Sequence, residues 1–145
     1  MTDSPTPAAL IHHCLETLAD EVASLSPTVY ARFFQRQPQA EVLFGNDGED
    51  LLKTDMLTRL LVQILEFAEG QANPELIVSW AADHAGYGVD LVMFPAMFDS
   101  LAETLREATG EAWTPAVERA WQIQFDGLLT LIRQAFRSYQ VAMGG

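Results

Sequence analysis

The stretch Trp80-Ala81-Ala82-Asp83-His84-Ala85-Gly86-Tyr87-Gly88-Val89 ends a helix-like run in a histidine, closely followed by two glycines. An imidazole placed this way has two uses. It can be an axial ligand to iron in a pocket walled by the rest of the chain. It can also sit at a helix C-terminus, where partial positive charge is favourable and glycine supplies the stop. His84 alone does not decide between them, so the surrounding elements must.

Other chemistry is poorly provided for. His12 and His13 are adjacent, diverge by about 100° on a helix, and cannot both face one ion. The chain has no histidine pair at four-residue spacing, no cysteine pair and no carboxylate–histidine triplet suited to zinc or di-iron. Gly86-Tyr87-Gly88 follows a helix instead of a strand, so it is not a phosphate loop. No serine sits on a nucleophile elbow. Glu16, Asp20 and Glu21, like Glu103 and Glu107, read as solvated faces. Cys14 reads as a small apolar residue in the first helix.

Composition narrows the partners. The chain has 145 residues, enough for a single domain over 1–145 that buries ~70% of its unfolded surface. Hydrophobic residues make up 49% and charged ones 19%, which describes an ordered globular chain and not a disordered acidic tail. Twenty acidic against eight basic side chains give a net charge of −12, which disfavours nucleic acid and anionic membrane as partners. No apolar run approaches the ~20 residues of a membrane span, Met1-Thr2-Asp3-Ser4-Pro5 lacks a signal-peptide layout, and the single cysteine suits a reducing compartment. A cytoplasmic location is expected.

The elements that would position His84 are helical. Thr6-Pro7, Ser26-Pro27, Asn73-Pro74 and Thr114-Pro115 each place a capping oxygen before a proline at the first helical position. They predict helices over about 6–24, 26–36, 73–84 and 114–141. The second carries an aromatic face of Tyr30, Phe33 and Phe34. A short turn follows through Glu41-Val42-Leu43-Phe44, then a loop at Gly45-Asn46-Asp47-Gly48. Another helix runs from about Asp50 to Glu69, with Leu57, Leu60, Leu61, Ile64 and Ala68 on one stripe. Leu76 and Trp80 share a face with His84. Asp90 can cap a helix to Gly110 that carries Phe94, Phe98, Leu101 and Leu105, with Pro95 confined to its first turn. The last helix buries Val117, Trp121, Phe125, Leu128, Ile132 and Phe136. No period-two segment suggests a sheet, so the class is all-α. An aromatic, leucine-rich helical core with one well-placed histidine is what a buried porphyrin requires.

The order of these features resembles a globin. The residues that carry the resemblance are Tyr30-Ala-Arg-Phe-Phe34, Val42-Leu-Phe-Gly45, Met56-Leu57, His84-Ala-Gly-Tyr-Gly-Val89, Phe94 and Ala120-Trp121. It spans about residues 7 to 137 and is greatest to bacterial single-domain globins and the haem domain of flavohaemoglobins. The resemblance implies helices A to H around a pocket for haem b, with helix D short or absent. His84 becomes the proximal iron ligand, its Nδ1–H donating to a backbone carbonyl one turn earlier. Phe44 becomes the phenylalanine wedged against the porphyrin, Trp80 lies against the haem, and Val89 and Phe94 close the proximal wall. Tyr30 becomes the distal donor to bound gas. The tyrosine and glutamate that polarise the imidazole in flavohaemoglobins correspond to Phe94 and Phe136, so the imidazole should be neutral.

The distal gate departs from the family. The preferred alignment puts Leu57 over the iron and Lys53 one turn earlier, where glutamine or histidine is customary. Shifting by one residue makes Leu52 the gate and Met56 the residue over iron. The function implied is reversible binding of dioxygen or another diatomic gas, NO or CO. Two alternatives stand beside it: NO dioxygenase activity fed by a separate reductase, and a haem-less sensor or interaction module.

Overall fold

The computed structural model describes residues 6–45 and 51–142, which form six α-helices. They are α1 (Pro7–Leu18), α2 (Val22–Arg36), α3 (Leu51–Ala68), α4 (Pro74–Gly86), α5 (Met93–Thr109) and α6 (Pro115–Ala142). Tighter 3₁₀ turns fill Ala19–Glu21, Pro38–Phe44 and Gly110–Ala112. No strand occurs among the described residues, and no described helix is long and apolar enough to cross a membrane. The loop expected at 46–48, the helix start at Asp50 and the extreme N-terminus lie outside the described residues.

Three of the four proline-marked starts form as local chemistry dictates. The Thr6 hydroxyl accepts from the Ala9 amide at 3.1 Å, the Asn73 side chain from Glu75 at 2.9 Å, and the Thr114 hydroxyl from Val117 at 3.3 Å. Ser26-Pro27 does not start a helix. α2 begins at Val22 and carries Pro27 inside it, while Ser26 is buried with its hydroxyl unpartnered. Val22 and Leu25 pack on the core, so tertiary burial extends the helix back past the local signal. Asp90 likewise gives no side-chain cap. Its carbonyl accepts from Met93, and Pro95 falls third in α5 where no helical donor is lost.

α6 is the longest helix and the axis of the core. Val117, Ala120, Trp121, Gln124, Phe125, Leu128, Ile132, Ala135 and Phe136 recur at three- and four-residue steps and are all buried. That stripe packs most extensively on α4 and α1, and also on α3 and α5. Phe98 of α5 stacks on Phe125 with centroids 4.8 Å apart and planes 10° apart. The approach to α3 is close: a Cβ on Gly127 would lie 2.7 Å from Cε2 of Phe67. Gly127→Ala should therefore lose about 1–2 kcal/mol, since overpacking outweighs the helix-propensity gain. A urea midpoint at or above the wild-type value would show that Phe67 moves aside freely.

α2 is fixed against α5 by a polar ladder. Arg32 reaches the Thr104 hydroxyl at 3.0 Å, Glu103 at 3.0 Å and Glu107 at 2.5 Å. Arg36 reaches the Ser100 hydroxyl at 2.9 Å and Glu103 at 2.8 Å. Glu103 and Glu107 are thus not simply a solvated face. The Arg36 hydrogen bond, aided by the charges of Arg36 and Arg32, holds the Glu103 carboxyl below its ordinary range. His12 and His13 are both exposed, and His12 pairs with Glu16 at 3.2 Å and Glu69 at 3.6 Å.

Candidate functional site

α4 runs to Gly86, two residues past the end expected at His84. The Tyr87 amide donates to Asp83 and His84 at 3.1 Å each, and the Val89 amide returns to the His84 carbonyl at 3.0 Å. Gly88, at φ 95°, makes that return possible and brings Val89 beside the histidine. Within the helix, His84 Nδ1 lies 2.8 Å from the Trp80 carbonyl oxygen. A carbonyl only accepts, so Nδ1 carries the proton, and in the neutral ring Nε2 is left with the lone pair.

The histidine sits in an aromatic surround. Its ring centroid is 4.6 Å from Trp80 and 5.9 Å from Phe94, and Phe94 meets Phe136 at 5.6 Å. Phe94 and Phe136 are both buried hydrocarbon rings. The face expected to include Leu76 is open at its start, since Leu76 is 66% exposed. Ile77 and Ala81 make the buried side of α4.

His84 lines a cavity of about 360 Å³ between α2, α3, α4 and α5. No charged side chain contributes to its wall among the described residues. Of the residues singled out from the sequence, Tyr30, Phe44, Trp80, His84, Val89 and Phe94 are brought together around it. Tyr30 is buried, with its ring edge-on to Phe44 at 5.3 Å. Phe33 and Phe34 complete that cluster.

Lys53 and Leu57 are not part of the wall. Leu57 is 2% exposed and belongs with Leu61 and Ile64 to the side of α3 that faces the core. The cavity is lined instead by Leu52, Met56 and Leu60, one residue earlier on the helix. Successive residues are about 100° apart on a helix, so a single step exchanges one face for another. The register with Leu52 and Met56 is therefore the one the cavity displays. Lys53 lies at the side, its Nζ 5.7 Å from the Phe44 centroid.

Several lining residues escape a reading of motifs: Ala40, Met93, Met97 and Phe98. The spacing of Met93, Phe94, Met97 and Phe98 marks a broad apolar face on α5, but not what it faces. A second, more polar cavity of about 600 Å³ adjoins the first and includes Asp55, Arg59, Glu66 and Asp83. Met56, Leu60, Trp80, His84 and Tyr87 line both. α3 and α4 therefore form a slot that is apolar at one end and charged at the other.

Known proteins share this architecture. The chain is 26% identical to leghemoglobin 49 of Vicia faba over 122 residues, covering 77% of this chain and 84% of that one. It is 24% identical to the leghemoglobin of Psophocarpus tetragonolobus over 136 residues, covering 88% and 94%. Among solved structures it is similar to the flavohemoglobin of Malassezia yamatoensis, determined with bound FAD and heme. That likeness has a TM-score of 0.72 at 21% identity, and covers 95% of this chain but 37% of the other. Residues 27–132 match the globin family model, so a helical chain with this slot and this histidine belongs to the globin family.

Proposed function

We propose that the chain binds haem b in the slot between α3 and α4, with His84 as axial ligand, and reversibly takes up dioxygen or a related diatomic gas. The observation that carries this is the imidazole on an otherwise apolar cavity, with Nδ1 committed to the Trp80 carbonyl. Close-packed interiors leave few voids larger than a water molecule, so about 360 Å³ of apolar space is a ligand site. The adjoining cavity carries one cation, Arg59, that could meet a carboxylate edge, beside Asp55, Glu66 and Asp83.

When bound, haem would supply an iron able to take up a diatomic gas, with His84 holding it. The chain's residues set the conditions. The Trp80 carbonyl fixes the tautomer and the direction of the His84 ring. Trp80, Val89 and Phe94 exclude water on that side, and Phe136 offers no carboxylate to charge the imidazole. Phe44 walls the slot at the turn after α2. The Tyr30 hydroxyl donates a hydrogen bond to the partly negative gas ligand.

NO dioxygenase activity is the second reading, favoured by the likeness to a flavohemoglobin that carries FAD. It requires an electron donor, and a net charge of −12 suits docking to a basic reductase. A haem-less module has no use for an imidazole held in this manner. The test is an absorption spectrum of the haem-supplied protein in ferric, ferrous and ferrous–carbonyl forms. A strong Soret band that moves with carbon monoxide is expected, and its absence removes the proposal. Tyr30→Phe should release oxygen about tenfold faster, the loss of one hydrogen bond. An unchanged rate would assign the donor role elsewhere.

A further inference from the structure

We propose that the Met56 thioether is the resting axial ligand opposite His84, displaced when a gas binds. This rests on the haem reading above and concerns a residue of α3 that lines both cavities together with the imidazole. Four residues of the two facing helices line both adjoining cavities: Met56 and Leu60 from α3, Trp80 and His84 from α4. They form the seam of the slot, where each helix contributes two side chains one turn apart. On α4 the seam carries one donor atom with a lone pair, His84 Nε2. On α3 the wall of the apolar cavity is Leu52, Met56 and Leu60, and only Met56 has a heteroatom.

Sδ of Met56 suits the task chemically. A thioether is neutral, so it binds in an uncharged cavity without the cost of burying an ion. It is soft and favours the reduced metal, and its unbranched stem adapts to the gap it must fill. The other candidates are set aside from the seam: Met93 and Met97 of α5 line the apolar cavity but not the one adjoining it. Lys53 is absent from the wall and has its ammonium beside the Phe44 ring. Tyr30 comes from α2, and its ring is held against Phe44.

The step is a neutral ligand exchange. The sulfur lone pair would leave iron as the gas lone pair replaces it, with no external oxidant or reductant and no proton transferred. Two properties follow. Histidine–methionine ligation raises the reduction potential, so the resting protein stays ferrous more readily. Gas binding is slowed by the fraction of molecules whose site is closed.

The experiment uses the full chain reconstituted with haem, reduced under argon without gas, alongside Met56→Leu. Leucine nearly conserves the volume, so the variant should fold. Wild type should be six-coordinate and low-spin when ferrous, and Met56→Leu five-coordinate and high-spin with a lower midpoint potential. If Met56 closes nine molecules in ten, carbon monoxide should bind roughly tenfold faster to the variant after stopped-flow mixing. Tyr30→Phe and Lys53→Ala should retain the low-spin spectrum. A five-coordinate ferrous wild type overturns the proposal, as does a low-spin spectrum that survives Met56→Leu or vanishes in Lys53→Ala. A protein with no Soret band overturns the haem reading itself, and this proposal with it.

Discussion

His84→Ala should weaken haem retention by at least about 100-fold, beyond the 10–100-fold typical of losing a partner one shell further out. The variant removes the one lone-pair nitrogen at the α4 seam and leaves the Trp80 carbonyl without its donor. Haem transfer to an excess of acceptor globin measures the loss directly. The ring is half-buried, so its removal leaves a gap next to Trp80 and Phe94 that free imidazole can enter. Added imidazole should therefore restore both the Soret band and retention. Rescue distinguishes a ligand from a packing residue, because a helix-end histidine gains nothing from an unattached ring. If His84→Ala holds haem as tightly as wild type with an unaltered spectrum, another residue holds the iron.

Trp121→Ala should cost about 3–5 kcal/mol, the range for emptying a large buried aromatic site. Trp121 is 1% exposed, parallel to Trp113 at a centroid distance of 6.3 Å, and 5.7 Å from Phe125. Its Nε1 lies beside the Cys14 thiol without a hydrogen bond of regular geometry. Burial pushes that thiol above its ordinary range, and contacts with Thr109 and Trp121 partly offset the rise. A chain of this size should melt roughly 10–15 °C lower. Trp121→Phe should lose less, since it keeps most of the ring and removes an unpartnered donor. A loss under about 1 kcal/mol for the alanine variant would mean that α1 and α6 collapse into the space.

Local chemistry was legible wherever it acted alone. Thr6, Asn73 and Thr114 cap their helices because cap and amide are two or three residues apart and nothing competes. Ser26-Pro27 carries the same signal, yet Val22 and Leu25 have apolar surface to bury, so α2 begins earlier. The stripe Leu57, Leu60, Leu61 and Ile64 was readable as buried. Which edge of it borders the cavity was not, because that depends on how α3 is rotated against α2 and α4. Periodicity fixes a face but not what lies opposite. The result is a one-residue difference between the preferred gate and the residues that line the wall. Arg32 and Arg36 meet Ser100, Glu103, Thr104 and Glu107 across 64 to 75 residues of chain, a pairing that local spacing does not encode. His84, Trp80, Val89, Phe94, Phe44 and Tyr30 were recoverable through the order of elements, and the cavity gathers all six.

The packing of α6 also sets an order of events during synthesis. Chains leave the ribosome from the N-terminus, so α6 emerges after α1, α3, α4 and α5, the helices it packs on. Until it arrives, α4 lacks its principal neighbour, and Ile77 and Ala81 have no surface against which to be buried. α2, α3 and α5 can meet earlier, building the Tyr30 and Phe44 side of the cavity first. The histidine side is seated last, so the nascent chain has half a pocket before His84 takes its place in it.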